Sequence, residues 1–533
     1  MEQKRVIIAV ALCFLLLILW SRFFPQSAMV QPLAQNASQA SAKAETAAAP
    51  RAQSQPLPSQ SFAPAEGKRV TVKTGLYTAE FSSAGAVLER FVLAKYRESA
   101  APGSPNIDLI GKASLAKAPM GLILDGQPTW LKATWAEAPA DLNLSGKQTG
   151  VLTFFGRLGD LAIERRLTFA ADTYLITEEV VLANAGATEA RSLVSFTMAA
   201  KSLSDADDKY NPTRVSTYNP KGLTEHSDRK ALAEKGEQYT GAFSWAAIQS
   251  NYFLLALIPG GKESSFKAGY QDEIFRLAVD EEANVPAGQS RTVGVTYFFG
   301  PCEREILDAG PSNLHNAVDL GWFGFIAKPL LFMLVWLNQF THNYGLAIII
   351  LTIMIKLLFW PLSQKSYQSM DKMKKLQPML AKLREKHGDD KEKLNQEMMA
   401  LYKTYKVNPA GGCLPMVVQI PVFFGLYKAL LSAIELRHAP FIVHVPFTDM
   451  IWLADLAAKD PYYVTPLIMG ATMLLQQKMT PPPGDPTQAK VMMFMPVIFT
   501  FLFLNFPSGL VVYWLVNNVL SIAQQWWMMR KSS

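Results

Sequence analysis

Tyr344-Gly-Leu-Ala-Ile-Ile-Ile-Leu-Thr-Ile-Met-Ile-Lys356-Leu-Leu-Phe-Trp360-Pro-Leu362 is an apolar run broken by one hydroxyl, Thr352, and one charge, Lys356. Its length approaches the roughly 20 residues that a helix needs to cross a ~30 Å hydrocarbon core. At 1.5 Å per residue, Lys356 lies about 9 Å from the end of the run, with apolar residues continuing past it to Trp360. A lysine so placed either snorkels to the headgroups or faces a hydrated space between helices. Because an embedded charge costs at least ~2.5 kcal/mol, the hydrated inner surface is the more economical reading.

Four more segments of this kind follow, at 413–433, 462–477, 491–506 and 509–528. Residues 365–406, between the first two, hold eleven Lys or Arg, whereas residues 435–460 hold only Arg437 and Lys459. The positive-inside bias therefore makes 365–406 cytoplasmic and 435–460 extracytoplasmic, and Arg530 and Lys531 put the C-terminus inside. The polar residues Gln419, Asn517, Asn518, Gln524 and Gln525 lie within these spans. Any one of them can be an interhelical hydrogen bond, and together they can line a polar groove. Tyr513 and Trp514 sit mid-span as packing residues unless they face Lys356.

The basic segment reads as a helical hairpin over 365–410. One helix covers 377–387 and stops at Gly388; Asp389-Asp390-Lys391-Glu392 resembles a capping box for a second helix reaching about Lys406. Met370, Met373, Met379, Met398 and Met399 form an adaptable apolar face, suited either to packing within the hairpin or to hydrophobic helices. Lys374 and Lys375, with their basic neighbours, suit anionic lipid.

Ahead of the spans the chain changes character. Residues 316–341 contain a Trp-rich apolar segment broken by Lys328 and Pro329, which reads as an interfacial helix. Residues 68–315 carry period-two alternation, as in 161–169, and β-rich runs at 174–182, 243–258 and 292–299, which predict a β-sandwich. No phosphate loop, nucleophile elbow or His-Glu-x-x-His is present there, and the isolated His226 reads as a surface loop residue. Residues 25–67 are an Ala/Gln/Ser/Pro tether. Residues 1–24 are an uncleaved anchor, since Arg22 and Phe23 stand where small cleavage-site residues belong; Lys4 and Arg5 put its N-terminus in the cytoplasm.

With 50% hydrophobic and 18% charged residues, the chain is too apolar for an ordinary soluble protein. Its net charge of +7 belongs to membrane orientation and not to nucleic-acid binding. Cys13, Cys302 and Cys413 have neither disulfide nor metal-ligand spacing.

Gln377-Pro378, Asn408-Pro409-Ala410-Gly411-Gly412-Cys413-Leu414-Pro415, Gln419-Ile420-Pro421-Val422-Phe423, Asp460-Pro461-Tyr462-Tyr463, Phe494-Met495-Pro496 and Phe506-Pro507-Ser508-Gly509-Leu510 together resemble the YidC/Oxa/Alb family of membrane insertases, in its Gram-negative form. The resemblance implies one N-terminal span, a periplasmic β-supersandwich and a five-helix core enclosing a hydrophilic groove. That groove opens to the cytoplasm and lipid and is closed on the periplasmic side. It further implies a protein of the bacterial inner membrane that inserts and folds other membrane proteins without enzymatic chemistry, cofactor or metal. Lys356 stands where the family usually has arginine, which keeps the charge but loses the planar donor fork. Thr352, Gln419, Tyr513, Trp514 and Asn517 become groove-lining or substrate-contact candidates. The implied partners are nascent membrane proteins, lipid and the Sec translocon, with the ribosome and signal recognition machinery beside them and no nucleic acid bound directly. Two other classes are open to the residues alone. A secondary transporter requires internal repeats, and a sugar-binding protein requires a carboxylate or His constellation in the β domain; neither is found.

Overall fold

The computed structural model describes residues 67–532 apart from 102, 205–208, 262–263, 388–389, 406–413, 445–447, 449 and 481–485. The anchor expected at 1–24, the tether up to residue 66, and the motif residues 408–413 lie outside the described residues.

The alternation in the first half of the chain folds as three antiparallel-rich sheets. The first contains β1 (Arg69–Lys73), β2 (Tyr77–Ser82) and β3 (Val87–Arg97). Side by side in the second, largest sheet run β4 (Leu161–Ala170), β5 (Leu175–Asn184), β10 (Ser290–Pro301) and β7 (Phe253–Pro259). The third contains β6 (Ala190–Ala200), β9 (Ile274–Val285) and β8 (Ser264–Gln271). One apolar core joins all three: Phe81 of the first sheet meets Phe169 of the second at 5.9 Å between ring centres, and Phe91 meets Phe299 at 5.3 Å.

The register of β4 turns Ile163, Arg165, Leu167 and Phe169 inward. Arg165 is fully buried, and each nitrogen of its guanidinium has an acceptor: Nε donates to Glu178 Oε1 at 2.6 Å, Nη1 to Gly85 O at 2.6 Å and Nη2 to Met120 O at 2.7 Å. Tyr297 Oη donates to the other Glu178 oxygen at 2.9 Å. A buried charge is tolerated only when paired and hydrogen-bonded in this way.

The β-rich run 243–258 is two antiparallel strands, Trp245–Gln249 and Phe253–Pro259, because Ser250 Oγ accepts the N–H groups of Tyr252 and Phe253 and closes a turn between them. One sequence expectation is corrected here. His226 is the last residue of the strand Gly222–His226, paired with Val215, and not part of a loop.

The second half is helical: α1 (Gly324–Thr341), α2 (Tyr344–Leu358), α3 (Trp360–His387), α4 (Lys391–Thr404), α5 (Leu414–Ser432), α6 (Val464–Met479), α7 (Pro486–Phe503) and α8 (Ser508–Ser532). Each of the five expected C-terminal spans carries a helix, but among the described residues no single helix is long and apolar enough to cross a membrane; α2 and α3 pass only as a pair bent by 63°. The bend falls at Phe359 (φ −90°, ψ 4°), just before Trp360-Pro361: Pro361 has no N–H to donate back to Leu357, so the ladder of α2 cannot run on through it, while the first turn of α3 tolerates it. The expected run 344–362 is thus interrupted, and the helix expected over 377–387 begins much earlier, at Trp360. Asp390 caps α4 by accepting Lys393 N at 3.1 Å, and α3 and α4 pack against each other.

α1 lies against α5 and α2 through Leu330, Leu334 and Leu337, while Trp322, Phe325, Phe332, Trp336 and Phe340 remain exposed. One end of the helical core is closed by the described residues of 434–463. There Asp460 accepts Trp452 Nε1 (2.9 Å), Tyr462 N (3.0 Å) and Thr465 N (2.7 Å), and Ser508 N donates to Ala458 O at 2.7 Å. The same region meets the β domain. Arg437 donates to Arg97 O (2.8 Å) and Glu98 O (3.1 Å), its guanidinium sits 5.3 Å from the centre of the Phe253 ring, and Asn251 Nδ2 donates to Leu431 O at 3.3 Å.

Candidate functional site: a polar chain across three helices

Asn343 starts α2 by accepting Leu346 N at 3.1 Å, which fixes the helix phase that follows. Ala347, Ile348, Leu351 and Ile355 then face the core, while Leu346, Ile350, Ile353, Met354, Leu357 and Leu358 face outward, uncovered. Lys356 lies between the two faces, half-buried. Its Nζ donates to Ser521 Oγ of α8 at 2.6 Å. Ser521 in turn donates to Asn517 O at 2.7 Å, and Asn517 Oδ1 accepts Gln419 Nε2 of α5 at 2.8 Å. Lys356, Ser521, Asn517 and Gln419 therefore form one polar chain through α2, α8 and α5. Among the described residues no carboxylate pairs with Lys356, so its charge is met by a neutral hydroxyl alone.

The spacing of α8 explains this face. Asn517, Ser521, Gln524 and Gln525 recur at helical intervals on one side of a helix whose Leu510, Val511 and Val512 are core. Further along, Asn518 Nδ2 donates to Thr472 Oγ1 at 3.4 Å and Gln525 Nε2 to Met479 O at 2.9 Å, tying α8 to α6.

The remaining sequence candidates are distributed differently. Thr352 is buried and spends its hydroxyl on Ile348 O of its own helix at 2.6 Å. Tyr513 is buried in the core. Trp514 sits in an aromatic cluster, 4.9 Å from Phe423, 5.3 Å from Phe503 and 6.1 Å from Phe499 between ring centres. In the α3/α4 pair Met370, Met373 and Met398 are half-covered, whereas Met379 and Met399 are exposed. Lys374 and Lys375 are exposed, the latter 3.1 Å from Asp371 one turn away. Sequence reasoning missed Ser521; the signal available for it was its position four residues after Asn517.

The family described as 60Kd inner membrane protein matches residues 336–533, and that described as YidC periplasmic domain matches residues 69–333. The membrane protein insertase YidC of Maridesulfovibrio salexigens is 54% identical over 535 residues, covering 99% of each chain. That of Lawsonia intracellularis is 45% identical over 536 residues, covering 100% of both. A crystal structure of an active YidC insertase with its first transmembrane domain resolved is similar at 18% identity and a TM-score of 0.36, covering 86% of this chain and 92% of that one.

Proposed function

The chain belongs to the YidC family of membrane protein insertases, and from that premise we propose that it inserts membrane proteins into the bacterial inner membrane by offering the polar chain at Lys356 to the hydrophilic part of a substrate. The β domain then lies in the periplasm and the basic α3/α4 pair in the cytoplasm, consistent with the charge bias between 365–406 and 435–460. Both termini lie in the cytoplasm on the same reckoning. In this reading α2, α5, α6, α7 and α8 are the membrane core, α1 rests in the interface with its aromatic face toward lipid, and the described residues of 434–463 close the outer end.

The observation that carries the reading is the Lys356–Ser521–Asn517–Gln419 chain: polar groups spanning three helices whose outer faces are apolar, with a cation that no carboxylate among the described residues neutralises. Hydrogen-bonding groups of this kind lower the cost of carrying a substrate's polar segment through hydrocarbon, where each unsatisfied group costs several kcal/mol. Lys356 attracts acidic residues in that segment. The substrate's apolar span moves alongside, at the lipid face of the core, against α2, the helix that holds Thr352, and α8, the helix that holds Tyr513 and Trp514. Its burial supplies about 25 cal/mol per Å², and the membrane potential adds about 2.3 kcal/mol per 100 mV for each negative charge moved outward. No nucleotide enters this scheme. Cooperation with the Sec translocon or with ribosomes bringing nascent chains is compatible with it.

The test is reconstitution of the purified protein in liposomes without nucleotide, reading protease protection of a single-span substrate. Protection above that of empty liposomes supports autonomous insertion; its absence with folded protein overturns it.

A further inference from the structure

The β domain contains a cleft of about 1210 Å³ between the sheet carrying β5 and β10 and the sheet carrying β6, β8 and β9. The polar chain at Lys356 does not involve it. Its wall holds two unfinished polar groups: Asp280 is 2% exposed and Ser264 6% exposed, yet Asp280 Oδ1 and Ser264 Oγ have no hydrogen-bond partner among the described residues. The second Asp280 oxygen is engaged by Lys267 Nζ at 2.9 Å. Glu281 is likewise committed, accepting the N–H groups of Gly260 (2.9 Å) and Gly261 (2.8 Å). Glu179 and Glu282 also line the cleft and are exposed, with Arg291 as its lining cation. A buried acceptor left unpaired costs the full desolvation of that group, so a donor arriving at Asp280 Oδ1 gains more there than at a surface carboxylate.

We propose that this cleft binds an extended peptide segment bearing Lys or Arg, with one cationic side chain donating to Asp280 Oδ1 and with Glu179 and Glu282 attracting the rest. The volume exceeds the ~300–1,000 Å³ of an ordinary small-molecule pocket, which favours a chain of several residues over a single amine. A carbohydrate fits less well, because its apolar ring faces are ordinarily covered by aromatic side chains and none lines the cleft. The inference goes beyond insertion and is decided separately from it, since its readout is binding.

The experiment uses the full chain in detergent micelles and a fluorescein-labelled heptapeptide alternating alanine and lysine, read by anisotropy. Comparison is with the alanine–glutamate peptide and with maltotetraose as competitor. The basic peptide is expected to bind about tenfold more tightly than the acidic one and to weaken as salt rises. The double variant Glu179→Gln/Glu282→Gln, which alters only exposed side chains, is expected to weaken it about fivefold. Asp280→Asn should also weaken binding; should that variant misfold, the exposed double variant still decides. Equal binding of both peptides, binding unchanged in the double variant, or displacement by maltotetraose each overturns the proposal.

Discussion

Lys356 Nζ donates a 2.6 Å hydrogen bond to Ser521 Oγ, so a lysine in the last turn of an apolar helix is held by a serine 165 residues away on the last helix. The bond orients the ammonium without neutralising it. Ser521→Ala should therefore leave insertion of an acidic-tailed substrate within about twofold of wild type while lowering stability by about 1.5 kcal/mol, the usual size of a hydrogen bond to a charged group. Parallel insertion and denaturation assays in one lipid composition check this. A large loss of insertion at unchanged stability contradicts the division of roles.

Gln419 and Asn517 connect α5 to α8 at 2.8 Å. A double-mutant cycle with Gln419→Leu and Asn517→Leu should give a coupling of about 0.6 kcal/mol, the mean for hydrogen bonds between helices in a membrane. Unfolding in mixed micelles measures it. A coupling near zero means that the two amides do not meet in the folded protein.

The β domain offers a sharper test. Glu178 and Arg165 are both fully buried, and Tyr297 adds a third member. Removing one partner strands the other, so Glu178→Gln or Arg165→Met alone should destabilise by about 3–5 kcal/mol. The double variant Arg165→Met/Glu178→Met should lose markedly less than the sum of the single changes. Urea titration followed by tryptophan fluorescence reads all three.

A pH dependence follows from His438, in the segment that closes the core. Burial, and then the Arg437 guanidinium, push its imidazole down from 6.5 to about 4. Above pH 6.5 neither folded nor unfolded chain carries the proton; between 6.5 and 4 the unfolded chain takes it up and the folded chain does not. Stability is therefore lost as pH falls through that window. The approach of His438 Nε2 to Asp455 Oδ2, at 3.8 Å, does not reverse the sign, because burial also raises the Asp455 carboxyl and weakens its charge. Asp455 and Glu435, both raised mainly by burial, act in the opposite direction, so the informative quantity is the difference from His438→Asn. Asparagine accepts the φ of 59° found there. Melting temperatures of variant and wild type should run parallel above pH 7 and diverge in favour of the variant from 6.5 downward.

Periodicity and charge made much of the architecture legible. Alternation in 161–169 marked a strand, the basic stretch 365–406 separated two helical regions, and the apolar run at 344–362 drew attention to Lys356. Long-range pairing stayed hidden. Arg165 reads as one more polar residue in an alternating strand until Glu178, Gly85 and Met120 converge on it from other strands and loops. The bend at Phe359 was written locally, in Pro361, yet the unbroken apolar composition masked it. Ser521 was overlooked because serine is small and common in helices; only its spacing from Asn517 set it apart. Thr352 shows the converse: a hydroxyl in a conspicuous place whose bond stays within its own helix.

The central claim is that the charge at Lys356 acts on the substrate's polar segment. The most direct measurement compares wild type, Lys356→Arg and Lys356→Glu in nucleotide-free proteoliposomes, with two substrates sharing one apolar span and differing only in an acidic or an uncharged tail. The account predicts that Lys356→Arg inserts both as wild type does, and that Lys356→Glu loses about tenfold on the acidic tail while keeping most of its activity on the uncharged one. Equal activity of Lys356→Glu on both substrates contradicts it.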